Sequence, residues 1–167
     1  MAAESGKKVM VAIDESEASY YALNWVLENL KESINHSGNP LVIFMAQPRP
    51  NYTNVFAAPL GSARMYCNVS ATPEFVNSVQ ERNRLVSMGI LEKAKGICTS
   101  NGVTAETITM IGDAKGAICD AVQTYKINLL VLGDCGLGKI KRALLGSVSN
   151  YCVHNASCPV LVVKKPE

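Results

Sequence analysis

Five short runs of apolar, largely β-branched residues recur along the chain, and segments with helical periodicity lie between most of them. The runs cover 8–13, 41–46, 103–111, 128–133 and 159–164. Apolar runs of this length are typical of strands in a parallel sheet that is covered on both faces. Strands that alternate with helices are joined by right-handed crossovers. The sequence therefore predicts an α/β fold, a doubly wound five-stranded parallel sheet of order 3-2-1-4-5 with helices on both faces.

The helical segments are marked by apolar residues at steps of three and four. One helix is predicted to follow Ser16 as its cap and to run past Ile34, and a second to run from Pro73 to about Ser100. A third starts at Asp113. A short fourth helix extends from Ser147 to about Asn155 and leads into the last strand.

Residues 47–72 interrupt this alternation. They are rich in Pro, Asn, Ser and Ala, and they show neither strand nor helix periodicity. We expect a long irregular loop within a single domain that comprises residues 1–167, because a chain of this length buries about 70% of its unfolded surface and forms one self-sufficient core.

The charge balance gives no general reason to expect nucleic acid or a membrane as partner. The net charge is +2 and charged residues make up 18% of the chain. No apolar stretch approaches the roughly 18 residues of a membrane helix, and the first residues resemble no secretion signal. The sequence thus predicts a soluble cytoplasmic protein and leaves entry into the nucleus open.

The six cysteines are spread along the chain without a CxxC pair. This spacing favours reduced, mostly buried thiols over a dithiol redox motif or a zinc ribbon. The two histidines lack ligand spacing as well. We therefore predict no metal site formed by these side chains.

A glycine-rich loop follows the fourth apolar run. Gly133, Gly138 and Lys139 match the first part of the P-loop pattern, but Ile140 stands where that motif needs a hydroxyl for magnesium. A classical P-loop is therefore excluded. Glycine N–H groups can nevertheless approach an anion closely, since no Cβ intervenes. We therefore expect this loop to bind phosphate.

Two further features should lie at the same edge of the sheet. Asp14 ends the first strand, and Gly146 and Ser147 begin the last helix, whose free N–H groups form a second anion site. In a doubly wound sheet of this order, ligands bind beyond the carboxyl ends of strands one and four. Asp14 should repel phosphate, so it better suits a ribose hydroxyl or a cation. An ordinary helix N-cap is the competing interpretation of Asp14.

The spacing G-x2-G-x9-G-[ST] is satisfied at Gly133, Gly136, Gly146 and Ser147, and it resembles the ATP-binding pattern of the universal stress protein family. Three other segments, VMVAIDES, GVTAETITMIGDAKGAICDAV and GSVSNYCVHNASCPVLVVK, resemble plant members in the same order. The resemblance covers nearly the entire chain.

This resemblance implies a Rossmann-like domain, similar to adenine nucleotide alpha hydrolases, that binds ATP or AMP and forms a homodimer through its last strand. Mg²⁺ or Mn²⁺ would accompany ATP. Carried over by position, the residues expected around adenine and ribose are Ala12, Ile13, Asp14, Ala46, Leu132 and Gly133. Those expected to meet phosphates are Gly136, Gly146, Ser147, Val148 and Ser149.

The chain departs from the family pattern directly after the fourth strand. Many relatives carry Ser followed by Arg or His there, whereas this chain has Asp134 and Cys135. If Asp134 points at the phosphates, its charge would weaken ATP relative to AMP or require a bridging cation. If it caps a turn or faces solvent, nothing changes. Cys135 beside an anion-binding loop would suit a redox sensor, although a structural thiol is the ordinary case.

The resemblance implies a nucleotide-dependent stress-response module whose protein partners the sequence does not identify. Two other functions stay open: a slow ATPase or nucleotidyl-transfer enzyme that uses Asp14 or Asp134 in the same cleft, and a chaperone-like scaffold with a vestigial site. No GxSxG motif and no usable Cys/His pair is present in the sequence. We therefore assign no catalytic residue.

Overall fold

The computed structural model describes residues 6–49, 53–60, 63–70, 72–134 and 145–166. For 53–60 and 63–70 it describes the backbone only.

The described residues form strands and helices in the following order. They are β1 Val9–Ala12, α1 Glu17–Asn29, α2 Lys31–Ser37, β2 Leu41–Gln47, β3 Thr53–Leu60, β4 Ala63–Ser70, α3 Pro73–Ser100, β5 Ala105–Ile111, α4 Ala114–Thr124, β6 Leu129–Asp134, α5 Ser147–Asn155 and β7 Val160–Lys164.

Five of the strands form a parallel sheet of order β5-β2-β1-β6-β7. In order of these five strands along the chain this is 3-2-1-4-5, so the predicted topology is confirmed. Val11 of β1 lies opposite Ile43 on one side and Val131 on the other. The strand order reverses between β1 and β6, and their carboxyl ends diverge into helices on opposite faces, which leaves a crevice there.

Two layers of apolar side chains cover the central strands, because successive residues of a strand point to opposite faces. Val11 and Ile43 pack on the face that carries α1 and α3. Met10 and Phe44 pack on the face that carries α4 and α5. All four side chains are completely buried, which confirms that helices cover both faces.

The helix boundaries agree with the sequence prediction except at one position. Pro73 and Ser100 bound α3, and Ser16 caps α1, as predicted. The first predicted helix is instead divided at Leu30 into α1 and α2. Leu30 belongs to neither helix, because its ψ of 0° departs from helical geometry. Gly38 ends α2 in the left-handed conformation, φ +71°, that glycine adopts without strain.

The expectation of an irregular loop at 47–72 is wrong for most of that segment. β3 and β4 pair antiparallel from Thr53 opposite Ser70 to Leu60 opposite Ala63. Pro59 in β3 obscured the strand pattern, since proline cannot donate to a ladder. Within the described residues the two strands pair only with each other, so each retains an edge where proline is tolerated.

The cysteines whose side chains are described are free thiols, namely Cys98, Cys119, Cys152 and Cys158. Cys98 and Cys152 are fully buried, and the other two are half-buried. Burial raises the pKa of Cys98 to about 11 and that of Cys152 to about 12, so both thiols stay protonated at neutral pH.

No helix in the described part of the chain has the length and apolarity needed to cross a bilayer.

Candidate functional site

A cavity of about 290 Å³ lies beyond the carboxyl ends of β1, β2 and β6. Its walls come from these strand ends, from the loop that leads into α1, and from the first turns of α4 and α5. The residues that line it are Ala12, Ile13, Asp14, Ser16, Ser19, Phe44, Ala46, Ala114, Ile118, Leu132, Gly133, Gly146, Ser147, Val148 and Ser149.

The structure brings ten of the eleven predicted site residues together around this cavity. They are Ala12, Ile13, Asp14, Ala46, Leu132, Gly133, Gly146, Ser147, Val148 and Ser149. The eleventh, Gly136, lies outside the described residues, as do Cys135, Gly138 and Lys139. The contacts that these residues make with a ligand stay a prediction.

Five residues that the sequence prediction did not include also line the cavity: Ser16, Ser19, Phe44, Ala114 and Ile118. Phe44 lies two positions before Ala46 in β2 and therefore on the same face, so strand alternation could have identified it. The contribution of α4 could have been inferred from its predicted start at Asp113, because helices that follow parallel strands begin at this edge of the sheet.

Asp14 organises the turn between β1 and α1. Its Oδ1 accepts a hydrogen bond of 2.8 Å from the Ser16 N–H and a further one from the Ser16 hydroxyl, an arrangement typical of an Asx turn. Ser16, not Asp14, is the N-cap of α1. Asp14 is exposed and lines the cavity, so the turn role and a contact with a ligand are compatible.

Ser19 fixes the same turn from the first turn of α1. Its buried hydroxyl donates to the Asp14 carbonyl at 3.0 Å and accepts the Asp14 N–H at 3.1 Å. The hydroxyl therefore ties the end of β1 to the start of α1. This explains how a strand end with an exposed carboxylate keeps a defined position beside the cavity.

Gly133 has a packing role that the sequence prediction did not include. A Cβ at this position would lie 2.2 Å from the carbonyl oxygen of Ala18 and 2.8 Å from the backbone nitrogen of Ser19. The first turn of α1 thus packs directly on the backbone of β6. Gly133 brings α1 and β6 together at the cavity, whether or not its own N–H contacts an anion.

The first turn of α5 forms the polar end of the cavity. Gly146 precedes the helix without a side-chain cap, and Ser149 is buried within the first turn. The first N–H groups of an α-helix have no intrahelical acceptor, and they carry the positive end of its dipole. The Gly146 N–H donates to Oδ1 of Asp134 at 3.1 Å. Asp134 therefore caps the end of the glycine-rich loop, and whether its charge also opposes a phosphate stays a prediction.

The described wall of the cavity is largely apolar, and Asp14 is its one charged residue. An adjoining cavity shares Ala46 and Ala114 with it and is also lined by Arg49 and Asp113. Lys139, Lys141 and Arg142 lie outside the described residues. The described wall of the first cavity thus offers hydroxyl and main-chain donors, rather than cations, to an anionic group.

Comparisons with known proteins agree with this geometry. The profile of the "Universal stress protein family" matches residues 6–164. The chain is 28% identical to the "Universal stress protein A-like protein" of Arabidopsis thaliana, over 95% of this chain and 90% of that protein. It is 29% identical to "Universal stress protein YxiE" of Bacillus subtilis, over 94% of this chain and 98% of that protein.

Among solved structures, a universal stress protein family protein from Arabidopsis thaliana with AMP bound superposes with a TM-score of 0.64. The identity is 25%, and the match covers 96% of this chain and 92% of that one. The family profile spans nearly the whole chain, and the fold is shared over the same extent. The chain therefore belongs to the universal stress protein family.

Proposed function

We propose that this chain binds an adenine nucleotide in the cavity at the ends of β1, β2 and β6 and acts as a nucleotide-dependent stress-response module. The observation that carries the proposal is the convergence of predicted residues from four distant segments on one cavity. The relative of known structure with AMP bound supports it. We also propose a cytoplasmic location, in line with the spacing of the six cysteines, which favours reduced thiols.

The cavity wall fits the two ends of a nucleotide. Ala46 and Ala114 line the cavity, are only half-buried, and provide apolar surface for the adenine ring. Ser147 and the N-terminus of α5 provide donors for phosphate, which helix N-termini favour. The volume of about 290 Å³ lies at the lower end of the range of roughly 300–1,000 Å³ that ligand pockets occupy, as expected for a mononucleotide.

Titration calorimetry with AMP and with ATP tests the proposal. We expect heat of binding with at least one of them, and Ala46→Trp should weaken it about tenfold or more, equivalent to about 1.4 kcal/mol, because the indole would fill part of the cavity. Val153→Trp is the matched control, since it adds the same side chain at an exposed position of α5 that does not line the cavity. Its binding should equal that of the unsubstituted protein.

Two outcomes would contradict this function. An absence of heat with both nucleotides would favour the scaffold with a vestigial site. Steady-state release of phosphate from ATP that Ala46→Trp abolishes would indicate a slow ATPase in the same cleft instead of a binding module.

We also propose that the protein is a homodimer joined through β7. β7 is at the edge of the sheet and pairs with β6 alone among the described strands. An edge strand that stays unpaired favours association with other chains, and pairing across a two-fold axis removes this liability.

Light scattering should give about twice the mass of one chain at micromolar concentration. Val162→Lys, at a half-buried position in the middle of β7, should shift the mass toward the monomer, because lysine on an edge strand opposes strand pairing. Val86→Lys at an exposed position of α3 is the control. A monomer mass at every concentration of the unsubstituted protein would be inconsistent with the proposed dimer.

A further inference from the structure

The carboxylate of Asp134 already occupies one of the donors at the polar end of the cavity. Asp134 ends β6 and is half-buried, and its Oδ1 accepts the Gly146 N–H at 3.1 Å. Gly146 itself lines the cavity, directly before the first residue of α5. The Asp134 side chain thus connects the end of β6 to the start of α5, where the backbone N–H groups available to a phosphate lie.

An anion that reached the Gly146 N–H would compete with this carboxylate. A backbone N–H has one hydrogen to donate, so the phosphate must either displace Asp134 or bind beside it. Displacement loses a charge-assisted hydrogen bond, and binding beside it brings two negative groups together in a partly desolvated place. In both cases the carboxylate stays close to the phosphate, and its repulsion increases with the charge of the phosphate chain.

The rest of the described wall does not offset this charge. Asp14 is the one charged residue among the described residues that line the cavity, and it is negative as well. The α5 dipole favours one anionic group near Ser147 and Val148, but the effect of a helix dipole fades beyond the first turn. Among the described residues that line the cavity, therefore, no cation neutralises a second or third phosphate beside Asp134.

Resting on the nucleotide-binding function above, we propose that Asp134 makes this site selective for adenosine monophosphate over the triphosphate when no divalent cation is present. A divalent cation that accompanies the triphosphate would lower the selectivity by neutralising part of the phosphate charge beside the carboxylate. Asp134 is then a specificity-determining residue that acts through charge, since its hydrogen bond to Gly146 needs only an acceptor oxygen.

The test is calorimetry with AMP and with ATP, each in EDTA and each with Mg²⁺. Asp134→Asn keeps an acceptor oxygen for the Gly146 N–H and removes the charge. In EDTA the unsubstituted protein should bind AMP about tenfold or more tightly than ATP, and Asp134→Asn should bring the two affinities within about threefold of each other, chiefly by tightening ATP. Mg²⁺ should improve ATP binding more in the unsubstituted protein than in Asp134→Asn.

Asp120→Asn is the charge-matched control. It removes the same charge from an exposed position of α4 that does not line the cavity, so it should retain the AMP preference. Asp134→Ser, which also removes the charge, provides a second variant should Asp134→Asn unfold, and thermal unfolding of each variant confirms that it is folded.

The outcomes separate the selectivity from the function on which it rests. If the unsubstituted protein binds AMP, but ATP binds equally well in EDTA or both Asp134 variants change AMP and ATP by the same factor, the selectivity is wrong and nucleotide binding stands. A ratio altered equally by Asp120→Asn would also refute it, since net charge would then be the cause. If neither nucleotide binds, the proposed function fails, and the selectivity fails with it.

Discussion

Gly133→Ala is expected to lower the free energy of unfolding by about 2–3 kcal/mol, the upper range for forcing an extra carbon into a packed interior. The new Cβ would lie 2.2 Å from the carbonyl oxygen of Ala18 and 2.5 Å from its carbonyl carbon. Both atoms belong to the backbone of α1, so a side-chain rotation cannot relieve the overlap. Either α1 moves away from β6 or the end of β6 distorts, and both changes also reshape the cavity.

Thermal unfolding with Gly146→Ala as the matched control measures this effect. At Gly146 the added Cβ would meet Oδ1 of Asp134 at 3.5 Å, an ordinary contact, and φ is −57°, which alanine adopts freely. We expect Gly133→Ala to lower the melting temperature by about 5–10 °C and Gly146→Ala to change it by less than about 2 °C. Equal melting temperatures for the two variants would show that the packing of α1 on Gly133 does not contribute to stability.

The two glycines illustrate how far a sequence pattern can be interpreted. The spacing of Gly133 and Gly146 indicated that both residues belong to one site, and both line the cavity. It could not indicate that a Cβ is excluded at Gly133 by a helix that precedes it by more than a hundred residues. That constraint depends on the distance between α1 and β6, which only the folded chain defines.

The topology of the main sheet could be predicted because it depends on local patterns and a general rule. Apolar runs marked the strands, three-to-four periodicity marked the helices, and the doubly wound arrangement supplied the order. The break at Leu30 could not be predicted, since the apolar stripe continues to Ile34, which is buried like the residues of α1. The β3–β4 hairpin was missed because its strands contain Asn and Pro at positions where pattern analysis expects turns.

The candidate site could be predicted where it consists of strand ends. Asp14, Ala46 and Leu132 each lie at or near the end of an apolar run, and the rule for parallel sheets brings such ends together. Ser19 was missed because its role depends on hydrogen bonds across a turn. The bond between Asp134 and the Gly146 N–H spans twelve residues. The sequence suggested both that Asp134 opposes phosphate and that it caps a turn, and the structure shows the capping contact, on Gly146 at the edge of the cavity.

Phe44→Ala is expected to have the largest effect on stability, about 3–5 kcal/mol, which is typical of truncating a fully buried aromatic residue. Phe44 lies in β2, has no exposed surface, and packs with Met10 and Ile118 in the layer between the sheet and α4. It also lines the cavity. The lost ring would leave a void that the flanking strands cannot close, because β2 is paired on both sides.

Chemical denaturation of Phe44→Ala, with Phe75→Ala as the control, measures this cost. Phe75 is 39% exposed near the start of α3, so the same truncation should cost only about 1–2 kcal/mol there. Phe44→Leu retains most of the volume and should cost about 1–2 kcal/mol, and it leaves enough stability to titrate AMP. Because Phe44 has no exposed surface, it affects AMP only through the shape of the cavity wall. Phe44→Leu should therefore weaken AMP binding less than Ala46→Trp does, and Phe75→Ala should leave it unchanged. A cost of Phe44→Ala no larger than that of Phe75→Ala would contradict the packing argument, and unaltered AMP affinity in Phe44→Leu would show that the cavity wall keeps its shape without the ring.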